Sequence, residues 1–171
     1  MTPGHPADTG TGTGSKARIV VGVDGSAPAR AALARAALEA VRSGSVLCAV
    51  TAWEPPTTLG WAPPVPDEDV AEAARGTLQR TLAEILGPEP EMPVETDVVQ
   101  GHPAPVLLAR AEGADLLVVG ASGHGAFTGM LLGSVTEHCV HHATCPVLVV
   151  RSPATEHSIE ETAAASSGRT R

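Results

Sequence analysis

Aromatic residues are nearly absent from this chain: of 171 residues none is tyrosine, one is phenylalanine and two are tryptophan. A buried core must then come from Val, Leu, Ile and Ala, the composition of parallel strands covered on both faces. Long apolar runs are missing as well. None approaches the ~20 residues of a membrane span, so no membrane partner is expected. Residues 1–18, MTPGHPADTGTGTGSKAR, hold no hydrophobic segment, which speaks against a secretory leader. The three cysteines, Cys48, Cys139 and Cys145, make no CxxC pair and suggest no disulfide framework. A reducing, cytoplasmic setting is the expectation. Basic charge is scarce too: 11 Lys and Arg stand against 19 Asp and Glu, a formal net charge of -8. A field of that sign repels a phosphate backbone, so no nucleic-acid partner is expected. Main-chain N–H groups can still build a local anion site whatever the net charge.

What is present fits one domain with a proper core, since 43% of the residues are hydrophobic. Residues 1–16 and 152–171 are rich in small and polar residues and read as disordered tails around a domain at 17–151. Inside it, short aliphatic runs alternate with helical patterns. ARIVVGVD (17–24), SVLCAVTAW (45–53), VETDVVQ (94–100), DLLVVG (115–120) and PVLVVR (146–151) read as strands. Between the first two, an Ala-rich segment carries Leu33, Ala37 and Val41 at helical spacing and closes on Gly44. A second helix begins at Asp67, shows Leu78, Leu82 and Ile85 on one face, and stops at Gly87. The third opens on Pro103, the fourth on Ser134. Prolines break up the stretch at 54–66, which reads as a long loop. Strict alternation of strand and helix predicts an α/β, Rossmann-like three-layer sandwich, with a five-stranded parallel sheet between helices. Such sheets take ligands beyond the carboxyl ends of their strands. Asp24, Ala52 and Gly120 stand at those ends.

The most unusual stretch is GASGHGAFTGMLLGS, Gly120 to Ser134. Ser134 and Glu137 have the S-x-x-E spacing of a capping box, which makes Ser134 the expected N-cap. A helix N-terminus offers unpaired N–H groups and a positive dipole end, and glycines let a bulky anion come close. A phosphate cradle therefore explains both the glycines and the serine; a plain loop with an ordinary cap explains them about as well. Other glycine motifs fit worse. The stretch has no lysine before its serine, as a Walker A loop needs, and VGVDGSAP after the first strand lacks G-x-G-x-x-G. Without that fingerprint Glu54 reads as a solvated loop residue, not a ribose-binding acid. His124 is the one candidate base near the loop, and reads as solvent-facing. His138, His141, His142 and Cys145 have spacing that can hold zinc. A helix running into a strand, however, turns Cys145 toward the core, and Cys139 suits a small buried hydrophobe. No metal site and no catalytic residue is expected.

Gly120-x2-Gly123-x9-Gly133-Ser134 resembles the nucleotide-binding motif of the universal stress protein family. So do IVVGVDGS, AWEPP, VVQGHPAPVLLARAEGADLLVVG and LLGSVTEHCVHHATCPVLVV, in the same order across residues 18–151. The resemblance implies ATP, with Mg²⁺, as the ligand. It implies Gly22 and Asp24 near ribose and phosphates and Ala52 against the adenine. Val119, Gly120, Ala121, Ser122, Gly123, His124 and Gly125 would form the loop, with Gly133, Ser134 and Val135 at the phosphate-binding helix start. Ala121 stands where the family often has Ser, and Ser122 where it often has Arg or His, which removes a side-chain contact. In the expected strand order 3-2-1-4-5 the last strand, 146–151, is a bare edge, and the family often dimerises there, so a homodimer is implied. The functional expectation is an ATP-binding stress-response or signalling protein with at most slow hydrolysis and unidentified protein partners. Two alternatives are a scaffold of the same family that binds no nucleotide, and an adenylating or flavin-binding α/β enzyme.

Overall fold

Five aliphatic runs form the strands: β1 (Arg18–Gly22), β2 (Val46–Trp53), β3 (Val94–Gln100), β4 (Leu116–Gly120) and β5 (Val147–Val150). Between them run α1 (Ala27–Ser43), α2 (Asp67–Leu86), α3 (Pro103–Arg110) and α4 (Ser134–His142). The computed structural model describes residues 16–55, 66–123 and 132–152. All but the innermost residue of each expected tail, and most of the 54–66 loop, lie outside these.

All four strand pairings are parallel, and the order is β3-β2-β1-β4-β5. The order expected from the sequence is the one observed. Side chains alternate across the pleat, so β1 feeds two cores. Ile19, Val21 and Val23 enter one, with Leu33 and Ala36 of α1 and Leu78 of α2. Val20 enters the other, with Val106 and Leu107 of α3 and Cys139 of α4. Helices therefore cover both faces. Leu33 and Ala37 of the α1 pattern are buried, whereas Val41 is 41% exposed.

Helix ends follow local chemistry. Ser26 Oγ accepts from Ala29 N at 3.3 Å and caps α1, and Gly44 closes that helix in the left-handed region at φ 66. At α4 the cap is not the expected one. Gly133 is the N-cap, with no side-chain bond, and Ser134 is the first helical residue. Gly133 N donates to Ala121 O at 2.7 Å, while its own carbonyl accepts from Glu137 N at 2.9 Å. Those two bonds start the helix one residue earlier than the S-x-x-E pattern suggests.

Candidate functional site

β1, β2 and β4 end side by side, and a cleft of about 510 Å³ opens beyond them. The strand ends are tied together from beneath. Val23 N donates to Val50 O at 2.8 Å, and the buried hydroxyl of Thr51 donates to Val23 O at 2.7 Å. Gly22 and Asp24 line the cleft from β1, Ala52 from β2, and Val119 and Gly120 from β4. Ser122 and Gly123 continue the wall, which Gly133, Ser134 and Val135 complete at the start of α4. Ala121 instead lies beneath it. It is buried, and its N–H donates to Val150 O at 2.7 Å while its carbonyl accepts from Gly133. The two ends of the glycine stretch are thereby joined. His124 and Gly125 lie outside the described residues.

One of these glycines leaves no room for anything larger, and two more are tight. A Cβ on Gly120 would stand 2.7 Å from the carbonyl carbon of Pro28, and one on Gly123 2.8 Å from Asp24 Oδ2. Gly133 is tighter than usual against Ser122 Cα, at 3.3 Å. At Gly120 close approach of the backbone, not loop flexibility, is what the position requires. Asp24 Oδ1 accepts from Ser26 N at 2.9 Å, so the carboxylate turns the chain into α1 and also faces the cleft. Among the described lining residues Asp24 is the sole titratable one. Opposite it, the first-turn N–H groups of α4 have no intrahelical acceptor and carry the positive end of the helix dipole.

Comparison with known proteins gives this geometry a context. The model of the Universal stress protein family matches residues 17–151. The chain belongs to the universal stress protein family. A universal stress protein of Mycolicibacterium smegmatis is 39% identical over 139 residues, which is 80% of this chain but 46% of that relative. The chain thus spans about half the length of the curated relatives it matches. Among solved structures, the universal stress protein UspA from Lactobacillus plantarum is similar at a TM-score of 0.65 and 26% identity, covering 80% of this chain and 98% of that one. A universal stress protein in complex with cAMP is similar at 0.54 and 28%, covering 81% and 98%.

Sequence reasoning missed part of this stress protein's cleft. Pro103 and Leu107 of α3 line the cleft on the α3 side, and Thr136 lines it at the start of α4. Thr136 Oγ1 donates to Gly120 O at 2.6 Å, fixing the first turn of α4 to the end of β4. A threonine two residues into a helix is no signal by itself; its partner becomes visible only in three dimensions. Glu54 is not merely solvated, since its Oε1 lies 2.8 Å from His102 Nδ1. On α4, His138 and His142 stack with ring centroids 4.3 Å apart, and both are exposed. Cys145 packs against the core. Among the described residues no three His, Cys, Asp or Glu side chains gather to hold a metal ion.

Proposed function

We propose that this universal stress protein binds ATP with Mg²⁺ in the cleft and works as a nucleotide-dependent stress-response or signalling protein. The observation that carries the reading is the seat at α4: main-chain N–H groups at a helix start that lines the cleft, beside Gly120, where a Cβ would meet the backbone of Pro28. The similar protein in complex with cAMP supports an adenine nucleotide. The residues fit a polyphosphate. Gly123, Gly133, Ser134 and Val135 hold its oxygens through the main chain, and Ala52, Leu107 and Val119 offer an apolar surface to the base. Asp24 would repel the phosphates unless Mg²⁺ or a ribose hydroxyl lies between, and in this reading it is the residue that would hold the ion. The ion's chemistry there is charge neutralisation. The glycine stretch carries no lysine before Ser134, so hydrolysis is expected to be at most slow. ATP occupancy then acts as a state of the protein in the cytoplasm, read by partners.

Thermal unfolding with ATP-Mg²⁺, AMP, NAD and FAD tests this. A ligand at a hundred times its dissociation constant adds about 2.7 kcal/mol, a shift of several degrees. ATP-Mg²⁺ is expected to give the largest shift, and no shift with any adenine nucleotide would defeat the reading. No helix among the described residues is long and apolar enough to cross a membrane. β5, at the sheet edge, pairs with β4 alone among the described strands, so the proposal includes a homodimer through it. Light scattering at micromolar concentration is expected to give twice the chain mass; a monomer would contradict that part.

A further inference from the structure

We infer that α4 carries a surface metal site, in which His138 and His142 together chelate a divalent ion of the zinc and nickel class. The site is separate from the nucleotide reading, since neither histidine lines the cleft. The two residues are four positions apart in α4, so they stand one above the other on one side of the helix. Their rings are already neighbours, with centroids 4.3 Å apart and planes 42° apart. One ion bound to two imidazoles at about 2.0–2.1 Å holds the bound nitrogens roughly 3.3 Å apart. Side-chain rotation brings the rings to that arrangement. Both residues are exposed, so no core contact has to break. His141 stands outside the pair: its ring meets that of His142 edge-on, with centroids 6.4 Å apart.

The donors set the class of ion. Imidazole suits zinc, nickel and copper, whereas calcium and magnesium take oxygen ligands. Two histidines at this spacing on one helix face are also the arrangement that supplies two zinc ligands in H-E-x-x-H metalloproteases. The surroundings favour a cation. His142 is the last residue of α4, where the helix dipole is negative, and the chain has a formal net charge of -8. The expectation of no metal site rested on Cys145 turning inward; it does pack against the core, and the pair works without it. No third His, Cys, Asp or Glu joins the pair among the described residues. Water fills the remaining positions, and the ion is exchangeable, unlike one in a closed four-ligand structural site.

Calorimetry of Ni²⁺ and Zn²⁺ into the full chain, without a histidine tag, compares wild type with His138→Ala, His142→Ala and His141→Ala. All three positions are exposed, and circular dichroism checks that each variant is folded. Wild type is expected to bind one ion per chain and to unfold at a higher temperature with the ion present. Losing only the outer partner of a ligand costs a metal site about 10–100-fold, so losing a ligand through His138→Ala or His142→Ala is expected to weaken binding at least about tenfold. The same two variants are expected to lose the thermal shift, while His141→Ala keeps both the affinity and the shift. No saturable binding of either ion to wild type overturns the inference. So does unchanged binding in both His138→Ala and His142→Ala, which would put the ion on other side chains. A loss in His141→Ala as large as in His138→Ala overturns it too, because the ion would then not rest on the pair.

Discussion

At the scale of single residues, the cleft works through contacts that tolerate little change. Asp24 accepts from Ser26 N and also lines the cleft, where the proposal puts the phosphates. Asp24→Ala is expected to weaken ATP binding about tenfold in Mg²⁺, equivalent to about 1.4 kcal/mol. In EDTA the loss should vanish or reverse, because the carboxylate alone repels phosphate. Calorimetry in both buffers checks this, and an equal loss in each would remove the cation from Asp24. Thr136 is buried, and its hydroxyl satisfies the carbonyl of Gly120. Thr136→Val keeps the shape and leaves that carbonyl unpaired, for an expected loss of about 1–3 kcal/mol in urea unfolding. The two residues differ in legibility. Asp24 announces itself in the sequence by standing at a strand end before a helix. Thr136 does not, since its partner lies sixteen positions away across two elements. Ser134 shows the limit of local pattern: both it and Gly133 suit a cap, and the bond from Gly133 N to Ala121 O decides between them.

At the scale of elements, periodicity and terminators carried nearly all the information. Each strand is a short aliphatic run, and α1, α2 and α3 begin or end at a serine, glycine or proline with a clear local reason. What was hidden is which side of each helix meets its neighbours. Val41 follows the spacing of Leu33 and Ala37 yet stays half-exposed, because the buried face of α1 is centred on its small residues Ala29, Ala32, Ala36 and Ala40. The joining of β2 to α3 through Glu54 and His102 was equally invisible, being set by two side chains far apart in sequence. α4 is anchored to the sheet through Cys139, which is fully buried. That burial pushes its thiol from 9.0 up to about 11. A raised thiol keeps the neutral form in the fold, so its contribution is whole below pH 9.0 and is lost as pH climbs to about 11. Urea unfolding across that window should show falling stability, and Cys139→Ala should flatten part of the slope. An identical slope in the variant would show that α4 owes nothing to the neutral thiol.

At the scale of the whole molecule, the arrangement follows from aliphatic strands that must be covered on both sides. Parallel pairing demands crossovers, crossovers place helices on both faces, and the order β3-β2-β1-β4-β5 brings the ends of β1 and β4 together. The glycine stretch leaves β4 at that junction and delivers α4 with its N-terminus toward the cleft. In the proposed function a chain with a net charge of -8 thereby receives an anion on main chain alone. The claim on which all else depends is that this seat holds the phosphates of an adenine nucleotide. Titration calorimetry of ATP-Mg²⁺ into the full chain, beside ADP-Mg²⁺ and adenosine, measures it most directly. The account predicts one site per chain, saturable below millimolar ATP, with adenosine far weaker because it lacks the group α4 receives. Saturation by adenosine as tight as by ATP, or no heat from any of the three with a folded protein, would contradict it.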